Sequence, residues 1–331
     1  MESRNRKPGI IGMGFYFPSK TVKTKAIADD INLSEKLYQY IGINKIYYPD
    51  KDDQPTKMAY LASKNALIDA GIDAIEVDLI VIAVFKNDYL NWQMSNWLKN
   101  KINATNALTL EVKGSCAAHF QAVELAVNQV QASEEIKTVL VVCAERLYGY
   151  GWPSFMSAGA QAIIIRENAP QFQFLGFETN NYIQYYDMAY IPEGGIVSPF
   201  TKESKWKGYG FVDNVVVNRN MYLEHIKPVF FDKVVEVTER LLNKTKYSIQ
   251  DIDYMLTLVQ QKNFDERISK VLGIPEVLTG NNYKKDLGHF SGADGYILLD
   301  RARKEKKIKR GDLILYIVIG GVAWYATLIK Y

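Results

Sequence analysis

Short, mainly apolar runs alternate with stretches of helical periodicity along the 331 residues. The runs lie at Gly9–Phe15, Asp78–Phe85, Leu108–Val112, Thr138–Cys143, Ala162–Ile165, Tyr254–Val259 and Leu313–Ile319. Short apolar runs of this kind, most of them without polar alternation, predict buried strands. Between them, Lys57–Ala70, Asn91–Lys101, Phe120–Gln131, Tyr222–Leu242, Phe264–Leu272 and Gly292–Lys304 repeat apolar residues at three- and four-residue spacing, which predicts helices. Strands alternating with helices predict an α/β fold with mostly parallel sheets.

The pattern also repeats within the chain. "ALIDAGIDAIEVDLIVIAVFKND" (66–88) parallels "RLLNKTKYSIQDIDYMLTLVQQKN" (240–263): a helix end, a loop, an aspartate, then an apolar strand. "GSCAAHFQAVELAVNQVQASEEIKTVLVVCAE" (114–145) parallels "GHFSGADGYILLDRARKEKKIKRGDLILYIVIGG" (288–321): a small-residue turn, a helix, a charged loop, then a strand. The spacing of about 174 residues is too long for a solenoid. It predicts two duplicated α/β halves, 1–170 and 171–331, sharing one core. A pseudo-twofold axis between them would bring the turn at Cys116 and the turn at Gly288–His289 to one central crevice, a natural place for a site.

Composition narrows the classes. The chain is 48% hydrophobic and 23% charged with a net charge of +3, which fits a globular protein and gives no electrostatic case for nucleic acid. Two cysteines, Cys116 and Cys143, argue against a disulfide framework and for a reducing, cytoplasmic setting. The N-terminal "MESRNRKPGIIGMGFYFP" is basic, but its apolar run is too short and too broken for a signal peptide or a membrane span. No metal-ligand spacing and no phosphate-binding Gly-Lys-Ser/Thr loop occurs.

The candidate chemistry centres on "EVKGSCAAHFQAVELA" (111–126). A cysteine opening a helix gains from the helix dipole, which favours the thiolate, and thiolates attack thioesters. The alternative is a small buried structural thiol, which is how Cys143 in mid-strand reads. His119 lies one turn after Cys116, able to tune the thiol, line the crevice or pack outward. His225, in "MYLEHIKPVF", reads as an ordinary helix residue.

The order of a strand, "GSCAA", a helix and the strand "VLVVCAE" resembles the thiolase superfamily, and within it ketoacyl-ACP synthase III. "GIIGMGFYFPSKTVKT", "YIGINKIYYP", "MSAGAQAIII" and "IGGVAWYATLIKY" match that family's opening strand, Thr-Gly-Ile segment, Gly-Asp-Gly-Ala-type strand and C-terminal hairpin. The resemblance covers nearly the whole chain. It implies a five-layered α-β-α-β-α fold, a homodimer, and acyl thioesters of CoA or of a phosphopantetheine carrier as substrates, with no resident cofactor. It also implies Cys116 as the nucleophile and backbone N–H groups of Cys116, Gly320 and Gly321 as the oxyanion hole.

The family's other two catalytic residues, a His and an Asn, are not where the pattern puts them. The His position falls on Leu258, or on Gln260 if the strand slips by two. The Asn position falls on His289, so the resemblance leaves Cys116 with a relocated base at His289. Gln260, Gln261 and Asn263 are candidate amide contacts to a substrate arm, or an ordinary polar strand end. Tyr89, Trp92 and Trp97 in "FKNDYLNWQMSNWLKNK" are candidate acyl-pocket residues, or core and interface aromatics. Basic clusters at 202–210 and 301–310 offer a docking rim for an acidic acyl carrier protein, or solvated surface.

The expected activity is acyl transfer through Cys116 to an acceptor deprotonated by His289. Two alternatives stand beside it: carbon–carbon condensation, and a catalytically weak partner subunit of a heterodimeric synthase.

Overall fold

The computed structural model describes residues 6–151, 154–204, 216–275 and 278–331. Among these residues nine strands line up in one order: Tyr254–Thr257, Leu313–Gly320, Ala323–Lys330, Gln173–Asn181, Gly9–Tyr16, Gly159–Arg166, Thr138–Glu145, Leu79–Ala83 and Leu108–Val112. The order divides into two sets that meet at a single residue pair, Gly9 with Gln173. From that seam outward both sets run alike. In the first, Gly9–Tyr16 pairs antiparallel with Gly159–Arg166, which pairs antiparallel with Thr138–Glu145, then parallel with Leu79–Ala83 beyond it. In the second, Gln173–Asn181, Ala323–Lys330, Leu313–Gly320 and Tyr254–Thr257 repeat those relations. The segments matched by the internal repeat therefore occupy corresponding strands, and the architecture is two duplicated halves.

Three apolar clusters define five layers. Helix Pro55–Ala70 covers the outer face of the first set, and helix Phe230–Thr245 covers the outer face of the second. Helices Ala118–Ala132 and Asp294–Lys304 lie between the two sets of strands and share the central cluster. Strand Thr138–Glu145 shows why its run is continuously apolar. Val139, Val141 and Cys143 face the central cluster, while Leu140, Val142 and Ala144 face the outer one.

Some elements differ from the sequence pattern. The expected helix Tyr222–Leu242 is broken: a wide turn at Tyr222–Ile226 leads to Lys227–Val229, and the regular helix begins at Phe230. Pro228 explains the break, since it has no N–H to continue the ladder. Strand Gln173–Asn181 went unread because polar residues interrupt its apolar ones. Most of the basic cluster at 202–210 lies outside the described residues.

Candidate active site

Strand Leu108–Val112 delivers the chain to a tight turn at Ser115–Ala117, after which helix Ala118–Ala132 begins. Cys116 sits in that turn, two residues ahead of the helix and partly exposed. The Gly288–His289 turn of the second half reaches the same point. His289 is pinned by its own backbone: its N–H donates to the Phe155 carbonyl at 2.9 Å, and its carbonyl accepts from Ser157 N–H at 2.9 Å. So held, its Nε2 lies 3.2 Å from Cys116 Sγ.

The other ring nitrogen identifies a residue that sequence reasoning missed. His289 Nδ1 lies 2.5 Å from Asp294 Oδ2. Asp294 is fully buried at the start of helix Asp294–Lys304. Its Oδ2 also accepts from Val259 N–H at 2.6 Å, and its Oδ1 accepts from Phe290 N–H at 2.6 Å. Three donors on two oxygens suit a carboxylate, which offers only acceptors. Burial alone would lower the His289 pKa, but Asp294 and then Cys116 outweigh it and hold the imidazole well above its ordinary value. The sequence signal was present in "GHFSGAD", where an acidic residue five positions after the histidine opens a helix.

A Cys–His–Asp relay of this geometry can move a proton. Nδ1–H is fixed by the carboxylate, so Nε2 is left to accept the thiol proton. Beside it, the turn after strand Leu313–Gly320 packs directly on the Cys116 turn. A side chain on Gly320 would lie 2.7 Å from both Ala117 N and Ser115 Oγ, so only glycine permits this approach. Gly321, at φ 63°, follows it.

A model of the C-terminal part of 3-oxoacyl-[acyl-carrier-protein] synthase III matches residues 242–331. The chain is 24% identical over 330 residues to beta-ketoacyl-[acyl-carrier-protein] synthase III of Rickettsia canadensis, covering 97% of this chain and 99% of the relative. The 3-oxoacyl-[acyl-carrier-protein] synthase III structure from Aquifex aeolicus superposes with a TM-score of 0.78 at 20% identity, covering 98% of this chain and all of that one. The structure of ChlB3, described as an acyltransferase, superposes with a TM-score of 0.81 at 18% identity, covering 98% of this chain and 97% of that one. Over nearly its whole length the chain is similar to ketoacyl-ACP synthase III proteins. Its fold is the thiolase-like fold, and its relatives are enzymes.

Set in a ketoacyl-ACP synthase III-like frame, the remaining candidates are scattered. Leu258 is completely buried in the central cluster. Its neighbour Val259 reaches the relay only through its backbone N–H. Gln260 and Gln261 are half-buried, and Asn263 is exposed at the start of helix Phe264–Leu272. The Gln261 carbonyl accepts from Phe264 N–H at 2.9 Å, an ordinary helix-entry contact. His119 also departs from expectation. Because the helix starts at Ala118, Cys116 lies outside it, and the two side chains do not share a helical face. His119 Nδ1 instead lies 3.2 Å from the Gly292 carbonyl.

Tyr89, Trp92 and Trp97 line a cleft of about 780 Å³ whose wall includes Glu145 but not Cys116. Tyr89 is 68% exposed and meets Trp92 edge-on. Glu145 is the second feature that sequence reasoning passed over. It is buried, accepts from Phe85 N–H at 3.3 Å, and ends the strand that carries Cys143. Burial raises its carboxyl pKa to about 8, against the lowering effects of Phe85 N–H and His289. Cys143 Sγ lies 4.0 Å from it, and burial pushes that thiol's pKa up as well. Cys143 is thus an inert core thiol. His225 is nearly half-exposed and stacks on Tyr185. Among the described residues no cluster of His, Cys, Asp or Glu could hold a metal ion, and no helix is long and apolar enough to cross a membrane.

Proposed function

We propose that this chain is an acyltransferase of the ketoacyl-ACP synthase III type, working through Cys116, His289 and Asp294. Nε2 of His289 takes the Cys116 proton, and the sulfur attacks the carbonyl carbon of an acyl thioester of CoA or a carrier protein. The oxyanion forms beside the Gly320–Gly321 turn. As the carbon–sulfur bond to the donor breaks, the leaving thiolate takes the proton from Nε2. An acceptor then gives its proton to Nε2 and attacks the acyl–Cys116 ester, which restores the free thiolate and, with the proton returned, the resting enzyme. Asp294 holds the ring in the required tautomer through both halves.

The observation that carries this reading is the imidazole 3.2 Å from Sγ and backed at 2.5 Å by Asp294, with aliphatic Leu258 at the strand end where the family resemblance calls for its catalytic histidine. Gln260, Gln261 and Asn263 have no part in it, and Tyr89, Trp92 and Trp97 serve the neighbouring cleft. The second reading, carbon–carbon condensation, is favoured by the names of the relatives. Decarboxylating a malonyl group builds an enolate that needs well-placed donors, and here Leu258 supplies none while His289 is already committed to Cys116. Acylated protein offered malonyl-CoA or a malonyl-carrier protein should release no CO₂ beyond background. Steady release of CO₂ with a β-keto product would replace the transferase reading with condensation.

The assembly we propose is a homodimer in the cytoplasm. Strand Leu108–Val112 ends the sheet order, and its Leu108 and Leu110 are 63% and 43% exposed. An apolar open edge of that kind favours pairing with a second copy. An intact Cys–His–Asp relay speaks against a weakly catalytic partner subunit.

A further inference from the structure

His119 is completely buried, and the reaction described above does not use it. A carbonyl only accepts, so the 3.2 Å contact to Gly292 O places a proton on Nδ1. Nε2 has no hydrogen-bond partner among the described residues. Burial, opposed by the Gly292 contact, pushes the His119 pKa down to about 4, so the ring is neutral at ordinary pH. A neutral ring whose single proton is committed to a carbonyl neither attracts a thiolate by charge nor exchanges its proton.

What it holds is the turn between His289 and Asp294. Gly292 O also accepts from Tyr316 Oη at 2.9 Å, and that oxygen accepts from Gly295 N–H at 3.2 Å. Ser291 Oγ donates to the Cys116 carbonyl at 3.3 Å. The turn is pressed closely onto the nucleophile: a side chain on Gly292 would lie 2.6 Å from Cys116 O and 3.1 Å from His119 Cβ. It is also strained, with Ser291 at φ 61°. Such a conformation persists only when its surroundings over-determine it.

Resting on the Cys116–His289–Asp294 reading, we infer that His119 is a positioning residue. With Tyr316 it clamps the Gly292 carbonyl and so holds the turn carrying His289 and Asp294 at hydrogen-bonding distance from Cys116. Tyr296 meets the His119 ring edge-on at 5.3 Å and Tyr316 at 5.5 Å, completing the packing. The charged and titratable groups around the pair itself are Asp294 on the same turn and Cys143 and Glu145 on strand Thr138–Glu145.

The test is the rate of iodoacetamide alkylation of Cys116 at pH 6 relative to pH 9, read by peptide mass spectrometry so that Cys143 is scored separately. His289→Ala sets the floor, and melting temperatures are taken in parallel. His119→Leu and Tyr316→Phe each lose one donor to Gly292 and should lower the ratio roughly five- to tenfold, the equivalent of one hydrogen bond. His119→Asn, whose amide N–H stands near the Nδ1 position, should stay within about twofold of wild type. Lowered melting temperatures with unchanged ratios in His119→Leu and Tyr316→Phe would reduce the clamp to packing and overturn the proposal. So would His119→Asn behaving like His119→Leu. A wild-type ratio no higher than that of His289→Ala would instead refute the Cys116–His289 pair, and the positioning role with it.

Discussion

Replacing Asp294 with asparagine keeps the shape of the relay and removes its charge. Asp294 receives N–H groups from His289 and Val259 on one oxygen and from Phe290 on the other. An amide offers one oxygen and one NH₂, so whichever way it turns, at least one of those donors faces another donor. If the NH₂ faces His289, the ring must shift its proton to Nε2, and it then has no lone pair for the Cys116 proton. If the oxygen faces His289, the tautomer survives but the imidazolium has lost its counter-charge. A unit charge about 4 Å away at an effective dielectric of about 20 is worth about 4 kcal/mol. That corresponds to roughly three decades in the population of protonated His289. Losing the corresponding carboxylate of a serine-protease triad costs about 10⁴ in rate, which sets the scale for the wrong-tautomer case. Single-turnover acylation of Cys116 by an acyl-CoA, followed by intact mass between pH 6 and pH 9, should slow about 10³-fold in Asp294→Asn near neutral pH. An Asp294→Asn protein that melts like wild type and acylates at the wild-type rate across that range would refute the relay.

Two further outcomes follow from the buried carboxyl and the open sheet edge. The Glu145 carboxyl is protonated in the fold up to about 8, whereas in the unfolded chain it ionises near 4.5. The folded state therefore keeps a proton that the unfolded state has lost, and stability falls as pH rises from about 4.5 to about 8, then levels. The shift is worth on the order of 5 kcal/mol, so Glu145→Gln should flatten that slope in denaturant titrations at pH 5 and pH 8. An identical pH dependence in wild type and Glu145→Gln would exclude a neutral buried Glu145. Light scattering at micromolar concentration should give about twice 37.7 kDa for wild type. Leu108→Lys with Leu110→Lys should give a monomer, and a wild-type monomer would remove the edge-pairing argument.

The frame of the molecule was legible where burial dictates composition. Val139–Cys143 and Leu313–Ile319 lie in strands covered on both faces, so apolar residues run through them without polar alternation and stand out in the sequence. The repeat exposed the duplication for the same reason. Gln173–Asn181 stayed hidden because several of its positions, Glu178 and Asn180 among them, are only partly covered and carry polar residues. The meeting of the Cys116 and His289 turns was readable from the repeat as a crevice, but its contents were not. Asp294 was missed because an acidic residue at a helix start has a common explanation in the helix dipole. Its role depends on Nδ1, Val259 N–H and Phe290 N–H converging on it, and one of those, Val259, comes from 35 residues away, which no local pattern encodes. Of the roles open to His119, a shared helical face with Cys116 is the one the structure does not provide, because the helix begins at Ala118, two residues after the cysteine.

The most direct test of acyl transfer through Cys116 is intact-protein mass spectrometry after incubation with a series of acyl-CoAs. The account predicts a mass gain of one acyl group with release of one CoA, mapped to the peptide carrying Cys116. The gain should vanish in Cys116→Ala and persist in Cys143→Ala. Equal labelling of the Cys116→Ala protein, or no adduct from any acyl-CoA or acyl-carrier protein, would contradict it.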